Sequence, residues 1–430
     1  MEVEKGISSC EKVGFSPWWS FFMTNLEKLH VKVKKTSGDD PRRILHSFKV
    51  GLTLTLVCIF YYVTPLFDGL GSSAMWAVLT VVVVMEYTAG ATLCKGLNRA
   101  FATLLGGALG LGVHHIAELC GDKGEPVLIG IFIKKRYDYG VVIFILTFSL
   151  VAVSSFRVEN IIPLAHQRLS TIALGVTTCL FISIFVFPVW AGEDLHNLTS
   201  TNLEKLANFL QGMEKKYFGG DLQDRSYFQS YKSVLNSKAS EDVLVNLAKW
   251  EPGHGGFGFR HPWNQYIAIG APTRRCAWIM DSLAGFITTL DKSATIIGSD
   301  PQPTEELHVK IRSACADMSS ETAKALSDLA SSIKSMSAPA AARYHVAAAE
   351  AAAERMKETI AENSAVAGIV HVATIGLLVV EITRSARDIV GAVEELARLA
   401  GFESNEAVNK AAVKPLADGE SQQTINIFVE

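Results

Sequence analysis

At 430 residues the chain has room for two or three domains; 49% of it is hydrophobic and only 19% is charged, against about 25% charged in an average soluble chain. The net charge of −3 is split, with 17 Lys and Arg against 13 Asp and Glu in residues 1–190 and 23 against 30 in the rest. The basic half is also the apolar half, so its cations flank membrane-like segments and the composition excludes a nucleic-acid binder.

Residues 1–47 are polar, carry Lys28, Lys32, Lys34, Lys35, Arg42 and Arg43, and lack the apolar core of a cleavable leader. This segment is expected to be cytosolic, because cations collect on that side of a membrane. A membrane domain is expected over residues 48–190. A helical crossing needs about 20 mostly apolar residues. Phe48–Phe67, Ala74–Ala91, Arg99–Leu119, Gly140–Phe156 and Leu169–Trp190 meet that need, with Lys49 at the edge of the first and Glu86 inside the second. The turn DGLGSS has no cation and points outward; the turn with Lys95 and Arg99 points inward; GDKGE points outward again.

Between the third crossing and Gly140 stands GEPVLIGIFIKKR. Lys134-Lys135-Arg136 asks to be inside, so Pro126–Ile133 has to cross. As a helix those eight residues reach about 12 Å, and extended about 26 Å. Extended backbone facing lipid leaves its polar groups unpaired. Most of a fourth span is read as missing from the chain.

After Trp190 the composition changes, and a helical cytosolic domain is expected over residues 191–403. Glu193–Tyr217 reads as a helix with a stripe of Leu195, Leu198, Leu203, Leu206 and Leu210. Trp250–Trp263 is Gly- and Pro-rich and reads as a structured loop, with Trp250, Phe257, Phe259 and Trp263 filling a core. Helices follow at Trp278–Ile297, Pro303–Met336 and Ala340–Asn363. Val366–Val380 is too short to cross, is interrupted by His371, and continues at helical period into EITRSARDIVGAVEELARLA as one buried helix. The tail 404–430 reads as disordered. The fold class is all-α: a polytopic helical membrane domain followed by a helical cytosolic domain. Cys10, Cys58, Cys94, Cys120, Cys179, Cys276 and Cys315 form no CxxC pair and read as buried free thiols. No metal or other cofactor is expected, since no Cys or carboxylate cluster supports His254 and His261. The Gly run of the loop lacks the GK[ST] of a phosphate loop. No Ser/His/Asp or paired-carboxylate site stands at useful local spacing, so the chain is not expected to be an enzyme.

The runs SAMWAVLTVVVVMEYTAGATLCKGLNRAFATLLGGALG, RYDYGVVIFILTFSLVAVSSFRVE, QRLSTIALGV and PVWAGEDLH resemble the plant aluminium-activated malate transporter family. The later WEPGHGGFGFRHPW is similar to that family's Trp-Glu-Pro segment. The blocks follow family order over roughly residues 40–280. The resemblance implies a dimeric anion channel, six spans per subunit, a helical cytosolic domain, and permeation by malate and other anions. It also implies a full crossing where this chain has only VLIGIFI before KKRYDYG.

An anion path needs fixed positive charge. Lys95 and Arg99, four apart on one helix face, are candidates for an inner basic pair. Arg157 and Arg168 flank VENIIPLAHQ, a turn that the family topology puts outside; they are candidates for the outer mouth, with Arg168 opening the last span. Lys49 is a further candidate, for the pore or for snorkelling to headgroups. Glu86, costly inside a span, is expected to pair with Lys95 or Arg99 and hold a gate. Gly106 and Gly110 match GxxxG and suit close helix packing. Asp68, Asp122, Glu125 and Glu159 are conceivable ligands for a hard trivalent cation, and Arg260 for an anionic regulator. A proton-coupled organic-acid exporter relaying through Glu86, His114 and His115 is the first alternative. A non-conducting subunit assembled with full-length relatives, motivated by the short fourth span, is the second. The plasma membrane is favoured over the vacuolar membrane as the location.

Overall fold

The computed structural model describes residues 41–63, 75–120, 139–154, 161–214, 227–294, 305–361 and 370–402. Among these the chain is helical, without a β-strand. It divides into two compact units, Met1–Trp190 and Ala191–Glu430.

The N-terminal unit holds α1 (Pro41–Tyr62), α2 (Met75–Val84), α3 (Ala89–Cys120), α4 (Tyr139–Ser154) and α5 (Ile161–Phe185). α3 packs on α4 and α5, and α1, α2 and α5 pack together around Val57, Val81, Val84, Ile172 and Ile182. Its surface is inverted relative to a soluble protein. Phe48, Ile59, Leu79, Val82, Phe101, Leu105 and Phe181 are exposed, while Lys49, Thr92, Arg99, Thr103 and Arg168 are buried. An apolar exterior is what a lipid solvent favours.

The helix bounds depart from the expected spans. The apolar run Ala74–Ala91 is not one helix: α2 stops at Val84, Met85–Thr88 is not helical, and α3 starts at Ala89. Polar side chains make the break. The Thr88 hydroxyl accepts from the Ala91 N–H at 3.2 Å, and the Thr92 hydroxyl accepts from the Glu86 N–H at 3.1 Å. The Ala89 N–H donates to Val189 O at 2.9 Å. Threonine satisfies helix-start donors that water would otherwise take. Glu86 therefore lies in a link between helices, not inside a crossing helix. α3 has 32 residues, about 48 Å at 1.5 Å per residue, and starts ten residues before Arg99. α5 begins at Ile161, ahead of the expected Leu169, and its stretch Ala165–Phe185 is the one described segment that is both long and apolar enough to cross by itself. The fourth-span stretch, Lys134–Arg136, Arg157, the four outer carboxylates and the tail lie outside the described residues.

Gly106 brings α3 onto α4: a Cβ there would sit 2.9 Å from Phe144 O and 3.2 Å from Thr147 Cβ. Gly175 does the same between α5 and α2, with Thr80 Cβ at 2.9 Å. These neighbours are backbone and β-branched atoms that cannot swing away. Gly106→Val and Gly175→Val are each expected to cost about 1–3 kcal/mol, read as a lower melting temperature of the detergent-purified protein; Gly107→Ala, which meets nothing within 4 Å, is the control that does not lower it, since Ala is the better helix former.

The C-terminal unit comprises α6 (Ala191–Met213), short turns α7 (Tyr227–Ser230) and α8 (Lys232–Leu235), then α9 (Lys238–Ala248), α10 (Trp263–Ala294), α11 (Glu305–Ser335), α12 (Ala342–Ala361) and α13 (Val370–Ala400). α11 packs against α6, α12 and α13, and α13 against α10. Leu195, Leu203, Leu206 and Leu210 of the α6 stripe are fully buried. α13 buries Ile375, Val379, Ile382, Ala386, Ile389 and Val393, one face at helical period. α10 begins at Trp263, fifteen residues before the expected Trp278, and runs through Gly270 and Pro272. In sequence those residues read as breakers; here tertiary packing overrides propensity. The loop before α10 does not fill a core with all four aromatics. Phe257 and Trp263 are buried, but Trp250 is 46% and Phe259 81% exposed.

Candidate functional site

Four of the five anion-path candidates, Lys49, Lys95, Arg99 and Arg168, lie within the described part of the N-terminal unit, and they fall into two kinds. Lys95 forms an ion pair with Glu86, both side chains about half exposed. Helix geometry explains the pair: the link Met85–Thr88 folds back at the N-terminus of α3, and Lys95 stands two turns into that helix. Lys49, Arg99 and Arg168 are buried instead. Lys95 and Arg99 share a helix face yet have different surroundings, which their spacing alone does not reveal.

Lys49 is 2% exposed. No carboxylate pairs with it among the described residues; Thr53 is bonded to its carbonyl, at 2.7 Å, and not to its ammonium. Arg168 was expected at the outer mouth, opening the last span. It lies two turns inside α5, because α5 starts earlier, and it is 6% exposed. Its guanidinium carbon stands 3.4 Å from the centroid of the Trp76 ring. A cation over an indole face gains electrostatic attraction without losing its charge. Arg168 is also near enough to Arg99 for the two charges to act on each other. Trp76 went unremarked in the sequence, where it is one aromatic at the head of an apolar run.

A cavity of about 290 Å³ lies between α3, α4 and α5, lined by Thr103, Leu104, Gly107, Thr147, His166 and Arg168 among others. The Thr103 hydroxyl is buried and has no hydrogen-bond partner among the described residues. A buried guanidinium and a buried unpartnered hydroxyl thus share one mostly apolar cavity. Burying a cation without an acid is costly. The side chains of His114 and His115 lie outside the described residues, as does Arg157.

In the C-terminal unit the Trp-Glu-Pro segment has a specific task. Glu251 is buried, and its two carboxylate oxygens accept from the Ala191 N–H at 2.6 Å and the Gly192 N–H at 2.9 Å. It caps the start of α6 from sixty residues away, a charge-assisted pairing at a helix N-terminus. Gly192 makes room for the Trp263 ring. Glu251→Ala is expected to lower stability by about 2 kcal/mol, seen as a lower melting temperature, with Glu251→Gln recovering part of the loss. Beside this cap, the Tyr266 hydroxyl meets His196 Nδ1 at 2.8 Å and His261 Nε2 at 3.1 Å. Burial first, and then His196 and His254, push the His261 pKa down to about 4, so the imidazole is neutral near pH 7. Among the described residues no cluster of three or more His, Cys, Asp or Glu could hold a metal; His261 and Trp263 have ring centroids 4.5 Å apart with planes tilted by 55°.

Comparison with known proteins covers both units. The sequence profile described as "Aluminium activated malate transporter" matches residues 34–369. "Aluminum-activated malate transporter 1" of Triticum aestivum is 48% identical over 412 residues, covering 90% of this chain and 89% of the relative. "Aluminum-activated malate transporter 2" of Arabidopsis thaliana is 43% identical over 406 residues, covering 88% and 79%. "Aluminum-activated malate transporter 7" of Arabidopsis thaliana is 39% identical over 427 residues, covering 86% and 82%. Ninety per cent of 430 residues is about 387, so the wheat alignment has roughly 25 positions more than the stretch of this chain it covers. The second alignment exceeds its share of this chain by a similar amount.

Proposed function

Because the chain belongs to the aluminium-activated malate transporter family, we propose that it lets malate and other anions flow passively across a plant membrane, and that it does so as a dimer. The observation that carries this reading is the burial of Lys49 and Arg168 without a carboxylate partner among the described residues, inside a unit whose exterior is apolar. A permeant anion meets positive charge at low dielectric there, where attraction is strongest. Arg168 holds the ion's carboxylate, Trp76 holds the guanidinium in place, and the Thr103 hydroxyl donates to a second oxygen. The Glu86–Lys95 pair is a latch: it positions the start of α3, and with it Arg99, and its opening is the gating step. The plasma membrane is the proposed location, with the vacuolar membrane as the alternative that fluorescent tagging decides.

A second reading is favoured by the roughly 25 extra alignment positions, close to the length of one crossing. In it the missing residues are the fourth span, and the chain is a non-conducting subunit that assembles with full-length relatives. Whole-cell recording separates the two. Malate currents from the chain as it stands, at equal surface expression to a version with a full crossing inserted after Gly130, support conduction. Currents only from the lengthened version, together with suppression of a co-expressed full-length relative, support the second reading.

A further inference from the structure

We propose a second anion-binding site, separate from the transport path, in the C-terminal unit: a pocket for an organic anion with an apolar body, of the aryl carboxylate class. The pocket has a volume of about 400 Å³ and lies between the end of α9, the loop before α10, the first turn of α10 and the end of α13. That volume falls in the range of small-molecule sites.

Its chemistry is mixed in a way that selects the ligand. Lys249 and Arg260 stand on its wall, and neither forms an ion pair among the described residues. This sets Arg260 apart from most exposed arginines of the unit. Arg275, Arg343, Arg355, Arg384, Arg387 and Arg398 are exposed too, and each faces a carboxylate. The one carboxylate on the pocket wall is Glu251, and both its oxygens are engaged by the backbone N–H groups of Ala191 and Gly192. The pocket therefore keeps an excess of positive charge.

The other wall is apolar. Phe259 is 81% exposed and Leu399 48% exposed, and the buried Trp263 closes the floor. Large side chains left in water beside a cavity gain by being covered. Malate, polar over its whole surface, covers none of them. An aryl carboxylate places its ring between Phe259 and Leu399 and its charge between Lys249 and Arg260, where Arg260 offers a bidentate fork.

The test is isothermal titration of the full chain in lipid nanodiscs with 2-naphthoate, with malate and the uncharged 2-naphthalenemethanol as comparisons. The expected result is a Kd for 2-naphthoate below about 100 μM, at least tenfold tighter than for either comparison. The Lys249→Ala/Arg260→Ala variant is expected to lose at least tenfold in affinity, Lys249→Arg/Arg260→Lys to stay within threefold, and Phe259→Ala to lose about fivefold for naphthoate only. All these side chains are exposed, so melting temperatures stay unchanged. No binding up to 1 mM, equal affinity for the neutral alcohol, or full affinity in the double alanine variant each overturns the proposal. Arg168→Gln is expected to leave the binding intact, which keeps this site distinguishable from the transport path.

Discussion

Replacing Arg168 with Gln is expected to reduce malate current by at least about tenfold at unchanged surface expression, in whichever form of the chain conducts. Tenfold in rate corresponds to about 1.4 kcal/mol in a barrier. That is small beside what a fixed cation supplies to an anion in a low-dielectric cavity, where even at an effective dielectric of 20 two unit charges 4 Å apart interact by about 4 kcal/mol. Arg168 is 6% exposed and lines the cavity that also holds the unpartnered Thr103 hydroxyl. Lys49→Gln should act in the same direction. Arg168→Lys keeps the charge but loses the planar stacking on Trp76, so it should conduct with altered preference between malate and chloride. Trp76→Leu should behave like Arg168→Lys, a shift in reversal potential more than a loss of current. Currents and reversal potentials unchanged by Arg168→Gln would remove this guanidinium from the path.

These residues show which parts of the molecule could be read from the sequence and which could not. The all-α class was legible because apolar runs of helical length and stripes such as Leu195, Leu203, Leu206 and Leu210 are periodic, local signals. The break at Met85–Thr88 was not, since Thr88 and Thr92 act through hydroxyl bonds to backbone that hydropathy does not register. The start of α10 was misplaced for a related reason. Gly270 and Pro272 are breakers by propensity, but the helix is held by packing against distant residues. The burial of Arg168 depends on where α5 begins and on Trp76, ninety-two residues earlier. Glu251 as a cap for α6 joins positions sixty residues apart. Nothing local in the sequence marks a long-range polar pairing, whereas a stripe of leucines marks itself.

The largest expected loss of stability comes from one such long-range pairing. Arg274 of α10 and Glu241 of α9 form an ion pair, with side chains 13% and 4% exposed. The Ser237 hydroxyl donates to the other Glu241 oxygen at 2.7 Å. Gly270, one turn before Arg274, lies directly against this carboxylate, where a larger side chain has no space. Arg274→Met leaves a carboxylate buried with one neutral donor, and Glu241→Gln leaves a guanidinium facing an amide. Breaking a buried pair from one side costs about 3–5 kcal/mol, a large part of the stability of an ordinary domain. Each single variant should therefore melt far below the parent or fail to accumulate. The double variant Glu241→Gln/Arg274→Met should recover much of the loss, because no buried charge is left uncompensated and the methionine keeps an apolar stem in place. Additive losses in that cycle would mean that the two side chains act through packing and not as a pair. Recovery would mean that each charge is costly only when left without the other, and that packing of α10 against α9, not the charge pair, holds the helix through Gly270 and Pro272.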